Sequence, residues 1–282
     1  MAPPLPISPS AVDRLSKRLR TGPQVSDEDL DLFLEILQAY QHALEVVQAR
    51  LRVLRYEPTS RLKTTSVLIE KLQREHTSLK SVQDIAGARI VVDGGRDVQD
   101  DVVAAVVEAF DDGSKPPRVR DRRAEPSHGY RAVHVVAMVL GLPVEIQIRT
   151  VAQDQWAQMV ESLGDKWGRG IRYGEPPPDP DRVELGDVTR AALWDLVQGL
   201  AERIGTVETM AGRLARLEVA VEKTQVERER IRQLGALPQD KEDQLNASLQ
   251  DLNVLKADHT TAEETLKHAL DVISQATAAL PS

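Results

Sequence analysis

AVHVVAMVLGLPVEIQIRT, residues Ala132–Thr150, is the part of the sequence with the clearest structural signal. It contains two runs rich in β-branched residues, Ala132–Leu140 and Val144–Thr150, joined by Gly141-Leu142-Pro143. So short a connection containing Gly and Pro favours a β-hairpin. The chain is therefore expected to contain a sheet in which these two strands lie side by side.

The second run of this hairpin alternates strictly between apolar and polar residues. A period of two places Glu145, Gln147 and Arg149 on one face of the strand and three aliphatic side chains on the other. In a core strand of an α/β sheet, a polar face of this kind usually lines a site, whereas the alternative is a sheet with one wet face. Within such a site, Glu145 is suited to activate a hydroxyl or to hold a metal, and Arg149 is suited to bind phosphate.

The segments around the hairpin alternate between strand and helix patterns. Ile85–Val92 is an apolar run typical of a buried strand, Val98–Phe110 is typical of a helix, and Arg118–Asp121 is a short strand candidate. Thr150 is placed to cap a helix that begins near Val151. The resulting β-α-β-β-β-α order predicts an α+β fold in which helices cover a mixed β-sheet.

Both ends of the chain are predicted to be helical. Ser26, followed by three acidic residues, indicates the start of a long amphipathic helix. Gly174-Glu175-Pro176-Pro177-Pro178 is the clearest boundary, and beyond it the chain is predicted to be almost wholly helical. We expect two helices, at about 187–234 and 240–280, interrupted at Gly235-Ala236-Leu237-Pro238 and folded back as an antiparallel hairpin.

These boundaries divide the chain into an N-terminal helical region at residues 1–55, a core at 56–175 and a helical hairpin extension at 176–282. Apolar residues of the hairpin repeat at alternating spacings of four and three, which is typical of a coiled coil: Leu200, Ile204, Val207, Ala211 and Leu214. This spacing leaves an apolar seam. The seam is expected to be covered by the second helix, by another copy of the chain or by a separate protein.

The composition excludes several classes of function. The 282 residues include no cysteine, which removes disulfides, thiolate zinc sites and cysteine nucleophiles and is consistent with a cytoplasmic protein. Aromatic residues make up 3%, too few for a broad stacking platform for single-stranded nucleic acid. The formal net charge of −8 makes the chain a poor general binder of polyanions. No run of about 18 apolar residues is present, so no association with a membrane is expected.

Two basic islands stand out in this acidic chain. Residues 61–80 contain five Lys or Arg against two Glu, and residues 115–131 contain six against one Asp and one Glu. Because a triphosphate needs concentrated positive charge, the islands favour a polyphosphate site. The alternative, which is favoured when charge is taken alone, is an ordinary solvated surface.

Three further residues are candidates for chemistry. Asp84 precedes the predicted strand and is suited to coordinate a Mg²⁺ ion that bridges phosphates, although an Asp that caps the loop is the more common arrangement. Tyr130 follows Gly129 and could present a ring for a purine to stack on. His134 lies inside the next strand, where a hydrogen-bonded structural His is more common than a catalytic one.

Five short motifs occur in the order and rough spacing of RelA/SpoT synthetase domains, and over about residues 50–175 the chain resembles this family. The motifs are Arg61-x-Lys63, Asp84-Ile85-x-Gly87-x-Arg89, Gly129-Tyr130-Arg131-x-x-His134, Glu145-Ile146-Gln147-Ile148-Arg149-Thr150 and Trp156-Ala157. The resemblance implies a nucleotidyltransferase-like mixed sheet. It also implies transfer of pyrophosphate from ATP to the 3′-hydroxyl of GDP or GTP to make (p)ppGpp, with Mg²⁺ as the cofactor.

The resemblance implies roles for individual residues. Asp84 and Glu145 match the carboxylates of the Mg²⁺ site, and Glu145 also matches the residue that activates the 3′-hydroxyl. The basic residues that match the ATP site are Arg61, Lys63, Lys71 and Arg89. The residues that match the acceptor site are Tyr130, which stacks on the base, and His134, Arg131, Gln147 and Arg149.

Departures from the family pattern leave the acceptor open. Ala132 and Glu161 stand where many members have Ser and His, and some stand-alone members are toxins that modify the 3′ end of tRNA. The alternatives are therefore a toxin that pyrophosphorylates tRNA, with a neutralising antitoxin bound to its C-terminal helices, and a catalytically dead nucleotide-binding module. None of the six histidines is followed by Asp, so we expect no hydrolase domain of the kind that longer relatives carry.

Overall fold

A computed structural model describes residues 5, 7–21, 25–113, 115–234 and 239–281 of the chain. Its residues group into two compact units, and each is described by itself. The first unit contains the chain up to Val92 together with Gln99–Glu125 and Ala132–Arg149, and the second contains Asp93–Val98, Pro126–Arg131 and the chain from Thr150. The division into parts at 1–55, 56–175 and 176–282 stays a prediction.

The first unit is built around a five-stranded sheet. Its strands are β1 (Thr59–Leu62), β2 (Ala86–Val92), β3 (Arg118–Asp121), β4 (Val133–Val139) and β5 (Leu142–Thr150). They lie in the order β1-β2-β5-β4-β3, and the pairs β1–β2, β3–β4 and β4–β5 are antiparallel. Because the sheet is mixed and the other three pairs are antiparallel, the remaining pair, β2–β5, runs parallel. The predicted α+β fold with a mixed sheet is confirmed, and β1 is an additional strand that the sequence did not reveal.

The turn of the central hairpin differs from the expectation. The connection between β4 and β5 is Leu140-Gly141, with φ angles of 51° and 77°, and Leu142 and Pro143 already belong to β5, where Pro143 lies opposite Met138. Two central residues with positive φ form the tight turn whose twist matches that of paired strands. The turn is therefore shorter than the predicted Gly141-Leu142-Pro143.

Four helices accompany this sheet: α1 (Pro9–Thr21), α2 (Asp27–Val53), α3 (Thr65–Glu75) and α4 (Arg96–Phe110). Ser26 caps α2 as predicted, because its side chain accepts a hydrogen bond of 3.2 Å from the backbone N–H of Asp29. The apolar face of β5, formed by Val144, Ile146 and Ile148, is fully buried in one core with residues of α1, α2, α3 and α4. The opposite face of the sheet remains available for polar side chains.

The second unit is mainly helical and contains α5 (Val151–Trp167), α6 (Arg190–Leu234) and α7 (Gln239–Ala279). Contacts between Arg228 and Glu242 at 3.4 Å and between Glu218 and Lys256 at 2.6 Å show that α6 and α7 run antiparallel, as predicted. The predicted interruption at 235–238 lies outside the described residues.

A small hairpin corrects the expectation that the chain is almost wholly helical after the proline-rich boundary. Its strands are β6 (Val183–Leu185) and β7 (Val188–Thr189), which pair antiparallel. Strands this short carry little periodicity, so no sequence pattern marked them. Across the described ranges, no helix is both long and apolar enough to cross a membrane.

Candidate active site

One face of the sheet carries most of the residues that the sequence singled out. The other face is apolar: alternate residues of β2, β4 and β5, such as Ala88, Val135 and Ile146, lie there in one buried core. Strand register then places Arg61 opposite Gly87, and His134 opposite Gln147. The polar face therefore holds these predicted site residues: Arg61, Arg89, His134, Glu145, Gln147 and Arg149.

Two arginines of β3, which belong to no motif of the sequence, extend this polar face. Arg120 lies directly opposite His134, and Arg118 lies opposite Val136, which itself faces Glu145 across the next pair. Both arginines are exposed. Their alternation with Val119 was the available signal, but a four-residue edge strand gives too short a pattern to show which face it presents.

Glu145 is a nearly buried carboxylate held by two neighbours on the same face. His134 Nδ1 lies 3.0 Å from its Oε1, and Gln147 Nε2 donates to its Oε2 at 2.8 Å. Burial acts to raise the pKa of Glu145, but the contacts with His134 and Gln147 outweigh it and hold that pKa below its usual value. The carboxylate is therefore charged at neutral pH, as a general base must be.

Asp84 lies between two lysines. Lys71 Nζ lies 2.9 Å and 3.1 Å from the two carboxylate oxygens, and Lys63 Nζ makes a short contact with Oδ2. Burial acts to raise the pKa of Asp84, but these hydrogen bonds lower it below the usual value. Burial lowers the pKa of Lys63, whereas the bonds to Asp84 outweigh burial at Lys71 and raise its pKa.

The local fold explains why these three groups meet. Lys63 directly follows β1, and its backbone N–H donates to the carbonyl of Ile85 at 2.9 Å, which ties it to the start of β2 beside Asp84. Lys71 reaches the same carboxylate from α3, which occupies the chain between β1 and β2. Two residues of the predicted ATP site and one of the predicted metal site are thereby brought together.

The donor set fits a magnesium ion. Mg²⁺ is commonly bound through one or two carboxylates together with waters and substrate phosphates. Asp84 and Glu145 supply two carboxylates, close enough for the charge of Asp84 to act on Glu145. No group of three or more His, Cys, Asp or Glu side chains that could hold a metal exists among the described residues, so the remaining ligands would come from the nucleotide and water.

Arg149 is the most buried of the predicted acceptor residues, with 2% of its surface exposed. Its Nη2 donates to Gln147 Oε1 at 2.8 Å, and Gln147 in turn donates to Glu145. A chain of hydrogen bonds therefore runs along β5 and fixes the orientation of three neighbouring polar side chains.

Tyr130 and Arg131 belong to the second unit. Gly129 has a φ of 88°, and a Cβ there would lie 2.8 Å from the ring of Trp156, so the residue before Tyr130 must be glycine. Trp156 is buried and donates to the carbonyl of Val197 at 2.7 Å, and half-buried Tyr130 packs against the same apolar cluster. Two of the five motifs, around Tyr130 and Trp156, are thus brought together.

Arg131 links its loop to α6. Its Nη1 donates to the carbonyls of Gly129 at 3.1 Å and Ala201 at 2.6 Å. Burial is the main cause that lowers the pKa of this guanidinium. These bonds are a structural use of the side chain, and its part in acceptor binding stays a prediction.

Glu208 of α6 is a buried residue that no pattern in the sequence singles out. Its carboxylate accepts hydrogen bonds from Thr150 Oγ1 at 2.7 Å, from Gln153 Nε2 at 2.9 Å and from Arg96 Nε at 3.2 Å. Thr150 is both the last residue of β5 and the N-cap of α5. An acid in a long, largely exposed helix has no sequence signal that distinguishes it from its solvated neighbours.

The comparison with protein families agrees with the motifs. A pattern described as "Region found in RelA / SpoT proteins" matches residues 60–164. The uncharacterized protein Rv1366 of Mycobacterium tuberculosis is 38% identical over 200 residues, which cover 68% of this chain and 70% of that protein. The GTP pyrophosphokinase YjbM of Bacillus subtilis is 32% identical over 173 residues, covering 53% of this chain and 77% of YjbM.

A solved structure shares the fold. The crystal structure of the small alarmone synthetase 1 from Bacillus subtilis aligns with a TM-score of 0.50 at 24% identity and covers 68% of this chain and 99% of that one. At this level of identity the likeness concerns the fold alone. The 60–164 match contains all five motifs, and hence both Asp84 and Glu145.

Proposed function

Because the chain belongs to the RelA/SpoT family of pyrophosphokinase-type transferases, we propose that it transfers a pyrophosphate group from ATP to the 3′-hydroxyl of GDP or GTP. The product is (p)ppGpp and the released nucleotide is AMP. Mg²⁺ is the proposed cofactor, with Asp84 and Glu145 as its protein ligands.

The proposed reaction needs placement and charge neutralisation rather than a covalent intermediate. The 3′-oxygen of the acceptor attacks the β-phosphorus of ATP, and the bond from that phosphorus to the α,β-bridging oxygen breaks. The proton of the 3′-hydroxyl goes to Glu145, and the electron pair of the broken bond stays on AMP. When bound, Mg²⁺ supplies positive charge to the phosphate oxygens.

The side chains of the chain divide this work between them. Lys63, Lys71, Arg61 and Arg89 are proposed to bind the phosphates of ATP. His134 and Gln147 hold the Glu145 carboxylate in place and keep it charged. Tyr130 is proposed to stack on the acceptor base, while Arg131 and Arg149 complete the proposed acceptor set.

The observation that best supports this proposal is the composition of the polar sheet face. It presents one charged carboxylate, Glu145, among the side chains of five arginines: Arg61, Arg89, Arg118, Arg120 and Arg149. Positive charge surrounding a single buried base is what transfer between two polyphosphate substrates requires. A site for a neutral substrate would not need this excess of cations.

The test is a transfer assay with ATP that carries radiolabel on its γ-phosphate. Wild-type protein and Mg²⁺ are incubated separately with GDP, GTP and deacylated tRNA, and both labelled products and AMP are quantified. We expect label on GDP or GTP with one AMP formed per transfer. Label on tRNA alone would instead support the tRNA-modifying toxin, and no transfer to any acceptor would support the nucleotide-binding module.

A further inference from the structure

The two carboxylates of the proposed metal site already have hydrogen-bonding partners within the chain itself. Asp84 is bound by both Lys63 and Lys71, and Glu145 is bound by His134 and Gln147. The two lysines are also residues of the proposed ATP site. The two lysines that should bind phosphate are therefore paired with Asp84, the carboxylate that should bind the metal.

We propose that Mg²⁺ and the donor nucleotide enter this site only together, by an exchange of ion-pair partners at Asp84. In the exchange, Lys63 and Lys71 leave Asp84 for the nucleotide phosphates, and Mg²⁺ takes the vacated carboxylate. This inference rests on the proposed function, because it assumes that the site binds a nucleoside triphosphate.

Charge balance explains why either ligand alone binds poorly. A Mg²⁺ ion that arrives without nucleotide adds two positive charges beside two lysines and displaces them from Asp84. Glu75, whose Oε1 lies 4.0 Å from Lys71 Nζ, is a more distant and more exposed partner than the carboxylate that this lysine gives up. A nucleotide that arrives without metal draws the lysines away and leaves Asp84, which is largely buried, without a counter-ion. When both arrive, every charge has a partner of opposite sign.

The geometry permits this exchange without a change in the backbone. Lys63 follows β1 and Lys71 lies on α3, so the two side chains approach Asp84 from different elements. Their side chains are 21% and 19% exposed, and that of Asp84 is 30% exposed. The ion pairs are thus shielded enough to be strong, yet their flexible lysine stems can swing to a ligand that enters from solvent.

Binding of Mn²⁺, a paramagnetic substitute for Mg²⁺, tests the proposal without any catalytic readout. Free Mn²⁺ is quantified by electron paramagnetic resonance during titration of the full chain, alone and with saturating α,β-methylene ATP, whose α,β linkage cannot be cleaved. Free nucleotide also binds Mn²⁺, so a titration of the nucleotide without protein measures that share, which is then subtracted. We expect the apparent Kd for Mn²⁺ at the protein to fall at least about tenfold with the nucleotide, the scale of coupled binding sites.

Variants test whether the lysines are the cause of weak Mn²⁺ binding in the absence of nucleotide. Lys71→Met keeps the length of the side chain and removes its charge, so Asp84 should bind Mn²⁺ several-fold more tightly in the absence of nucleotide. Lys80→Met is the matched control, because Lys80 lies in the same basic island but pairs with Asp13, at 2.5 Å. It should leave Mn²⁺ binding unchanged.

The outcomes separate this inference from the proposed function. If Mn²⁺ binds the wild-type chain equally well with and without nucleotide, or if Lys71→Met fails to strengthen binding of Mn²⁺ alone, exchange at Asp84 is wrong although the enzyme can still be a pyrophosphokinase. If α,β-methylene ATP does not bind even with Mn²⁺ present, the proposed function is wrong and the exchange falls with it.

Discussion

Glu145 shows how a single residue keeps a charge that its location disfavours. Burial of a carboxylate favours the neutral acid, and two hydrogen-bonding neighbours on adjacent sheet positions reverse that preference. The sequence predicted the alternating polar face because period two is a local property of a strand. It did not predict the lysine pair on Asp84, because those partners lie 13 and 21 residues away and meet only through α3 and β1.

Replacing Glu145 with Gln is expected to abolish most of the transfer reaction. The amide has the size of the acid but cannot accept the 3′-hydroxyl proton, so kcat should fall by at least about 100-fold, the usual contribution of a general base. AMP release measures kcat, and circular dichroism measures folding. Glu108→Gln, on the exposed face of α4, is the matched control and should have wild-type kcat. A folded Glu145→Gln protein with normal turnover would falsify the role of this residue.

Replacing His134 with Ala is expected to change the pH dependence of the reaction. Burial of Glu145 remains while a contact that lowers its pKa is lost, so the pKa of Glu145 rises. A base must be unprotonated, so activity should be lost at a higher pH as the solution is acidified. The acid limb of kcat/KM, recorded between about pH 5 and pH 9, should move to higher pH. An unmoved limb in a folded variant, with exposed His42→Ala as the control, would contradict this account.

Replacing Tyr130 tests base stacking. If the ring carries the interaction, Tyr130→Phe should be mild, whereas Tyr130→Ala should raise the KM for the acceptor roughly 5- to 150-fold, which corresponds to about 1–3 kcal/mol of stacking. The KM for ATP, measured in the same assay, is the internal control and should change little. Equal losses for Phe and Ala would show that the hydroxyl matters instead of the ring.

At the scale of elements, periodic patterns located strands and helices well, whereas turns and very short strands were missed. The Gly and Pro of the central hairpin were both assigned to its turn, yet only Gly141 is there, because the two-residue connection uses Leu140 at a positive φ. Leucine gives no sequence signal for that conformation. The three-residue β6 and two-residue β7 were missed because so few residues cannot show a period.

Replacing Leu140 with Asn is expected to stabilise the protein. Leu140 is half exposed and has a φ of 51°, a conformation that Asn tolerates much better than Leu, and Asn-Gly is the preferred pair for such a turn. The gain in the free energy of unfolding should be about 1 kcal/mol, the lower end of local backbone strain. Urea denaturation measures it. Leu140→Ala keeps a Cβ at the same φ, so it should show little gain, and an equal gain from both would refute the turn explanation.

At the scale of the whole molecule, the distal half of the α6–α7 hairpin is the feature least explained by the fold of this chain. Between residues 209 and 231 of α6 and between 241 and 251 of α7, no described side chain is buried. Two valines there, Val219 and Val226, are half exposed or more. The sequence predicted the hairpin from its coiled-coil spacing, but spacing alone does not tell which chain covers the remaining apolar surface.

Shortening the hairpin is expected to change the oligomeric state. Deletion of residues 217–250, closed by a short Gly/Ser linker, removes only the distal half and keeps the buried hydrogen bonds that Trp156 and Thr150 make with α6. We expect light scattering to show fewer chains per particle for the shortened protein than for the full-length protein. Val219→Gln with Val226→Gln is the control that keeps the helices and removes apolar surface, and it should weaken assembly in the same direction. Monomers throughout, with equal activity, would leave the hairpin without an assembly role.

The strand order has a consequence for folding while the protein is being synthesised on the ribosome. β5 is the last strand of the five to be synthesised, yet it lies in the middle of the sheet, between β2 and β4. Until it emerges, the nascent chain holds two separate two-stranded ribbons, which are marginally stable and have unpaired edges that invite aggregation. Insertion of β5 between the two ribbons pairs the free edges of β2 and β4, and it adds Glu145 to the sheet in the same step. A chain that stops before β5 therefore lacks Glu145 and leaves the edges of β2 and β4 unpaired.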